Sequence, residues 1–248
     1  QRQMCIRDSS VKIHMASTLA GFILDACFGD PHFLPHPVRG IGNLISLSEK
    51  GIRRLFPKTE KGELAGGALF VLLVLGITAA LSFGLWYAAA AAGNTALFLA
   101  ESVMVYFLLA ARSLRDESMR VYYSLRNGDV EEARRNISMI VGRDTSVLDA
   151  QGIARAAVET VAENASDGVI APLFYLALGG PVLGWVYKAV NTMDSMAGYK
   201  NKKYFWFGRA AARLDDAANF LPSRLSALLM IAAAAVCRLD YRLSLIHI

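Results

Sequence analysis

The sequence predicts an all-α, polytopic integral membrane protein with a helical cytoplasmic loop region. Two observations carry that prediction. The chain is apolar as a whole, with 54% hydrophobic residues among 248 and a mean hydropathy of +0.36. Long uncharged stretches also alternate with short, strongly charged ones, and residues 64–94 hold no charge at all. A membrane-spanning helix needs about 20 predominantly apolar residues, so that stretch is long enough to cross.

The other apolar segments follow in order. Residues 94–111 are apolar except for Glu101, 168–190 carry only Lys188, and 220–237 carry only Arg224. A shorter piece, 15–28, holds Asp25 and shows no cleavable signal-peptide pattern. Residues 64–111 are expected to form a hairpin of two spans. Gly179-Gly180-Pro181 interrupts 168–190 and predicts two half-helices or a re-entrant turn, which is tolerated at membrane depth only when protein covers it.

Between these segments lie three loops, 29–63, 112–167 and 199–219. The first and third are rich in Lys and Arg, which favours the cytoplasmic side. The expected location is therefore the cell (inner) membrane with the active face cytoplasmic. The formal net charge of +5 needs no other explanation, and no nucleic-acid partner is expected. Residues 112–167 carry helical periodicity at Leu114, Val121 and Leu125, then at Ala133, Ile137 and Ile140. Asn127-Gly128 breaks the pattern, with Asp129 as the next N-cap. Cys27 and Cys237 lie in apolar segments with no metal-ligand spacing and read as inert buried thiols.

The two ends look foreign. MCIRDS at 4–9 and LSLIHI at 243–248 are translations of one short DNA element read from opposite strands, as a transposon-end adapter would give. Residues 1–10 and 243–248 are set aside as adapter artefact, which leaves 11–242 as a single membrane domain truncated at its C-terminus.

Four polar clusters abut the apolar segments. In AAVETVAENASDGVIAPLFY, the residues Arg155, Glu159 and Glu163 fall four apart on one helix face, with Asp167 a turn further and Asn164 alongside. Like charges so spaced repel and call for a cation: Arg143, Arg155 or a metal bound to a nucleotide. A solvated face explains any one of these carboxylates but not the set, because uncompensated charge at a membrane is costly.

In YKAVNTMDSMAGYK, the residues Lys188, Asn191, Asp194 and Ser195 form one polar stripe. Lys188 suits a phosphate and Asp194 with Asn191 suits Mg2+, although an interfacial helix with a snorkelling lysine is the plainer reading. GDPHFLPHPVRGIG packs Asp30, His32, His36 and Arg39 between prolines, near Asp25. AARLDDAANFLPSR supplies Arg213, Asp215, Asp216, Asn219 and Arg224, and capping covers one of its two aspartates only. GxxxxGK[ST], GxGxxG, GxSxG and HExxH are all missing, so any nucleotide site would be built from scattered groups at helix ends.

Together with LDACFGDPHFLPHPVRGIG, ARSLRDE, GDVEEARRNISMIVGRDT and FGRAAARLDDAANFLPSRL, these stretches resemble the adenosylcobinamide-phosphate synthase family, the CobD/CbiB membrane proteins of cobalamin biosynthesis. The resemblance covers most of 19–238, and the family has a further C-terminal portion. It implies an ATP-dependent amide ligation that joins adenosylcobyric acid to (R)-1-amino-2-propanol or its O-phosphate. The co-substrate would be ATP with Mg2+, and the corrinoid would be substrate rather than cofactor. Other membrane enzymes of late cobalamin assembly are the expected protein partners, with the lipid bilayer as solvent.

A carboxylate must be activated before an amine can displace its oxygen, so such a site needs carboxylates for Mg2+, cations for phosphoryl oxygens and a proton acceptor. On this reading Glu159, Glu163, Asp167 and Asp194 are the catalytic candidates. Glu163, Asp167, Asp194 and Asp215 are the Mg2+ candidates. Asp30, His36, Arg39, Arg143, Asn164, Lys188, Asn191, Lys200 and Arg213 are expected to bind substrate and phosphate. Two other functions fit the same hydropathy: a corrinoid transport component, for which Glu101 and Asp25 inside apolar segments speak, and a non-enzymatic membrane sensor or scaffold.

Overall fold

The computed structural model describes residues 2–31, 36–142 and 144–239. The ordered elements among them are helical: α1 (Arg2–Phe28), α2 (Pro37–Leu55), α3 (Glu60–Ala91), α4 (Asn94–Leu108), α5 (Ala111–Arg126), α6 (Val130–Ser138), α7 (Ala150–Ala165), a π-helical segment (Ser166–Ile170), α8 (Ala171–Ala197) and α9 (Arg209–Val236). Five stretches are long and apolar enough to cross a membrane: Val11–Phe28, Glu60–Ala91, Asn94–Arg126, Ala150–Ala197 and Arg209–Val236. The expected all-α, polytopic membrane class is the observed one.

Helix α3 starts where the sequence offers a cap. The Thr59 side chain accepts from the Gly62 N–H, and Glu60 and Glu63 place negative charge in the first turn. The helix therefore begins at Glu60, four residues before the apolar stretch. It ends at Gly93, whose φ of +110° turns the chain into α4. The expected hairpin of residues 64–111 is α3 followed by α4.

Loop one is more ordered than the sequence suggested. It contains α2, which opens with Pro37 in its first turn and His36 as N-cap, and buries Ile41, Ile45, Ser48 and Ile52 along one face. Loop three is likewise shorter than expected, because 209–219 already form the start of α9. The turn before α9 is pinned by Arg53, which donates to the Lys203 carbonyl at 2.8 Å and lies 4.1 Å over the Phe207 ring. Residues 112–167 fold as expected into α5, α6 and α7 around a small core of Val121, Ala133, Ile137, Ile153 and Ala156. Asp129 caps α6 by accepting from the Glu132 N–H at 2.8 Å. Both free cysteines, Cys27 and Cys237, are exposed on the fold rather than buried in it. An outward face in an apolar segment needs only lipid around it.

The break at Gly179-Gly180 divides α8 into two arms, with Gly180 at φ +69°, ψ −169°. The arms are antiparallel, as their cross-contacts require. Tyr175 stacks on Tyr187 at 4.9 Å between ring centroids, and Asn191 donates to Asp167 Oδ2 at 3.2 Å. Their tip is tied to α1 and α4. His14 Nε2 lies 2.9 Å from the carbonyl of Leu176, at a helix end where carbonyls lack intrahelical donors. His14 Nδ1 lies 3.3 Å from Glu101 Oε2. Glu101 also accepts from Ser17 at 2.6 Å and from Trp86 Nε1 at 2.8 Å. A carboxylate 3% exposed in an apolar helix is thereby fully engaged in joining α1, α3, α4 and the arm tip.

Gly180 occupies a backbone region open essentially to glycine alone, and its Cβ position is spacious, with only His14 within van der Waals contact. Gly180→Ala is expected to destabilise the protein by about 1–3 kcal/mol through the backbone alone. Thermal unfolding in detergent, beside Gly76→Ala at a helical glycine with open space around it, checks this.

Candidate functional site

At the mouth of the α8 hairpin, polar residues from four parts of the chain converge on Lys188. Its side chain lines two cavities at once. The larger, ≈ 490 Å³, is also lined by Asp30, His36, Arg39, Ser113, Asp116, Glu117 and Arg120. The smaller, ≈ 190 Å³, is lined by Leu114, Asn164, Asp167 and Asn191. Lys188 interacts electrostatically with Asp30 on one side and Asp167 on the other. Among the described residues neither carboxylate comes close enough for an ion pair with it.

The wall of the larger cavity is built by local chemistry. The Val38 N–H donates to His36 Nδ1 at 3.2 Å, which fixes the neutral tautomer with its proton on Nε2. Nε2 then stands 3.2 Å from Asp30 Oδ1, and Ser113 donates to Asp30 Oδ2 at 2.8 Å. Burial raises the affinity of Asp30 for a proton, but the His36 and Ser113 contacts outweigh it and hold the carboxyl below its usual range. Ser113 is placed by Asp25, whose Oδ2 accepts from the Ala111 N–H at 3.0 Å at the start of α5. Tyr106 anchors the same corner by donating to the Gly29 carbonyl at 2.6 Å.

Asp167 lies in the π-helical segment rather than in a continuous α7. Its carboxylate reaches across to Asn191 on the other arm. Asp215 of α9 completes the acidic group. It is 9% exposed, interacts with Asp194 and Asp167, accepts from Asn219 Nδ2 at Oδ2 at 3.0 Å, and has the Asn191 amide beside it. Its Oδ1 is buried with no close hydrogen-bond partner among the described residues.

From the sequence-derived candidates the structure brings Asp30, His36, Arg39, Asn164, Asp167, Lys188 and Asn191 to the two cavities, while Asp194 and Asp215 line neither and stand within electrostatic reach of Asp167. Glu163 is exposed but within electrostatic reach of Asp167. Glu159 points along the exposed face of α7, where Arg155 Nε binds it at 3.1 Å. Lys200 and Arg213 are exposed and line neither cavity. Arg143 and His32 lie outside the described residues. Ser113, Asp116, Glu117 and Arg120 also line the larger cavity, and the sequence marks the first three only through the ARSLRDE stretch. Nothing in the spacing of Tyr187 distinguishes it from core.

Among the described residues, no three His, Cys, Asp or Glu side chains form a group that could hold a metal by themselves. The donor set nevertheless fits Mg2+, which binds through one or two carboxylates plus substrate oxygens, and the unpaired Oδ1 of Asp215 is such a donor.

Fold and site define a polytopic helical membrane protein whose polar centre, built of carboxylates, amides and a lysine, opens at the mouth of a helical hairpin. The comparisons with known proteins say which family has that pattern. The family model described as CobD/Cbib protein matches residues 18–244. A cobalamin biosynthesis protein CobD from Photorhabdus laumondii is 49% identical over 231 residues, 93% of this chain and 72% of the relative. The protein of that name from Geobacter metallireducens is 50% identical over 227 residues, 92% and 70% of the two chains. The one from Listeria monocytogenes strain EGD-e is 46% identical over 228 residues, 91% and 71%. The chain belongs to the CobD/CbiB family, whose matched relatives are named for cobalamin biosynthesis. No solved structure matches significantly.

The Asp30 environment has a pH signature. Because its folded pKa is depressed, its contribution to stability is present above its unfolded value, about 4. That contribution is lost as pH falls through the lower folded value. Asp30→Asn is expected to lower stability at neutral pH by about 1 kcal/mol and to flatten the acid limb below about pH 4. Melting temperatures measured across pH for both proteins test this.

Proposed function

We propose that the protein is an adenosylcobinamide-phosphate synthase that carries out an ATP-dependent amide ligation. It joins the free propionate of adenosylcobyric acid to (R)-1-amino-2-propanol or its O-phosphate, at the cytoplasmic face of the inner membrane. The observation that carries this reading is Lys188: a cation held between two polar cavities, facing a carboxylate in each, with no ion-pair partner of its own among the described residues. A lysine so placed is available for an anion brought by substrate.

The larger cavity suits the small amine. Asp30 offers oxygens to an ammonium group and Arg39 offers charge to a phosphate, whereas Glu117 and Arg120 pair with each other at 3.1 Å and Asp116 pairs with Arg112 at 2.7 Å. Asp167, Asp194 and Asp215 suit the metal–nucleotide side, where Mg2+ bound with ATP would supply neutralisation of phosphoryl oxygens. Asn164 and Asn191 provide amide donors beside them. Between the two, Lys188 would offset the negative charge of the phosphoryl group as it passes from ATP to the propionate with ADP leaving, and the charge that grows on the departing phosphate as the amine attacks. The amine must shed a proton, and the carboxylates around it are the acceptors at hand. His36 is not one as placed, since its Nδ1 already accepts from Val38.

The transport alternative draws less support. Glu101 is engaged by His14, Ser17 and Trp86, and Asp25 caps α5.

Membranes carrying the protein, given adenosylcobyric acid, Mg2+–ATP and aminopropanol phosphate, are expected to yield a corrin heavier by the aminopropyl phosphate adduct, only when ATP is present. No adduct from folded, inserted protein would overturn the ligase reading and favour transport. Lys188→Met and Asp194→Ala are each expected to lower kcat at least ~100-fold without loss of membrane insertion. Full activity in either would remove that residue from the site.

A further inference from the structure

The acidic group beside Lys188 contains one feature that the ligation chemistry does not by itself explain: a chain of hydrogen bonds that ends at an unpaired oxygen. Tyr187 donates to Asn219 Oδ1 at 2.8 Å, and Asn219 Nδ2 donates to Asp215 Oδ2 at 3.0 Å. Asp215 Oδ1 is buried and has no close hydrogen-bond partner among the described residues. We propose that Tyr187 and Asn219 are positioning residues that fix the Asp215 carboxylate so that its free oxygen serves the divalent cation accompanying the nucleotide. The proposal rests on the reading of Asp215 as a cation ligand.

The direction of the chain follows from donor and acceptor chemistry. An ionised carboxylate only accepts, so Asp215 decides which way the Asn219 amide faces, and the Tyr187 hydroxyl then donates to the amide oxygen left on the other side. The amide's N–H groups must then point at Asp215, and one of them occupies Oδ2. A flipped amide would present oxygen to a carboxylate and repel it.

The geometry is also rigid. Tyr187 is 2% exposed and stacks nearly parallel on Tyr175, with 15° between the rings. Tyr175 in turn donates to the carbonyl of Ala218 at 2.8 Å, one residue before Asn219. Both arms of the α8 hairpin therefore grip α9 at neighbouring residues. The side chain of Asp215 has little freedom to seek another donor.

What faces Asp215 is anionic. Asp194 from the second arm and Asp167 from the π-helical segment are its charged neighbours, with the Asn191 amide among them and Asp216 acting on Asp194. Among the described residues, no basic side chain is among the groups that act on Asp215. A carboxylate 9% exposed, half satisfied, and set against two others needs either a proton or a cation. The relay holds one oxygen and leaves the other available, the arrangement a one-oxygen metal ligand uses, and binding of a divalent ion separates the cation from the proton.

The test is binding of Mn2+ in the presence of ATP, read by electron paramagnetic resonance on the purified protein in nanodiscs, with a melting curve for each variant. Asp215→Asn is expected to lose most of the bound Mn2+. Tyr187→Phe keeps the ring stack and removes only the donor; it is expected to weaken Mn2+ binding roughly fivefold, the equivalent of one ordinary hydrogen bond. Asn219→Asp keeps size and the tyrosine contact but sets a carboxylate against Asp215; it is expected to weaken binding more than about tenfold. In turnover, both should raise the KM for Mg2+ far more than they lower kcat.

If Asp215→Asn loses Mn2+ while the Tyr187 and Asn219 variants bind it as the parent does, the positioning role is wrong and the ligand reading stands. If Tyr187→Phe lowers only the melting temperature, its role is structural and the proposal is overturned. If Asp215→Asn binds Mn2+ normally, the reading of Asp215 as a ligand fails as well.

Discussion

A chain that folds back within an apolar bundle must satisfy the backbone polar groups freed at its break, and the hairpin of α8 is arranged around that demand. At its tip, two glycines break the helix, and His14 and Glu101 bring donors and charge to the break from α1 and α4. At its mouth, the same antiparallel geometry opposes Asp167 to Asn191 and Tyr175 to Tyr187. The break therefore does two things. It returns the second arm to the side from which the first entered, and it places the polar stripe of that arm against the carboxylates of the π-helical segment.

The remaining elements are fitted to this hairpin. Gly67 of α3 allows the carbonyl of Phe207 so close that any Cβ would collide with it, and the start of α9 is thereby fixed beside the second arm. From there α9 delivers Asp215 and Asn219 to the mouth. On the other side, Asp25 holds the first amide of α5, and α5 delivers Ser113 to Asp30. Lys188 lies where these deliveries meet. A buried lysine is costly unless opposite charge is near, and Asp30 and Asp167 supply that charge from either cavity without closing an ion pair on it.

Much of this was legible in the sequence. Uncharged stretches gave the spans, Gly179-Gly180-Pro181 gave the hairpin, and Asn127-Gly128-Asp129 gave the boundary between α5 and α6. These are local signals, written in residue types whose backbone or solvation preferences act within a turn or two. Where the signal was mixed, boundaries moved. The basic residues of loop one concealed the apolar face of α2, and the polar first turns of α9 read as loop because helices can start well before their apolar part.

The sequence by itself determined which residues are polar at the edge of an apolar segment, and so nominated Asp30, Lys188, Asn191, Asp194 and Asp215. Only the tertiary structure decided which of them meet. Glu159 shares a helical spacing with Asp167 yet lies on the exposed face of α7, whereas Asp167 belongs to the π-helical segment that follows and reaches Asn191. Lys200 and Arg213 carry the right charge but stay at the surface. Tyr187 and Ser113, unremarkable in sequence, reach the site from elements far apart in the chain. Charge and hydropathy are properties of single residues and short windows, whereas the orientation of a side chain toward a partner 24 or 83 residues away depends on how the helices pack.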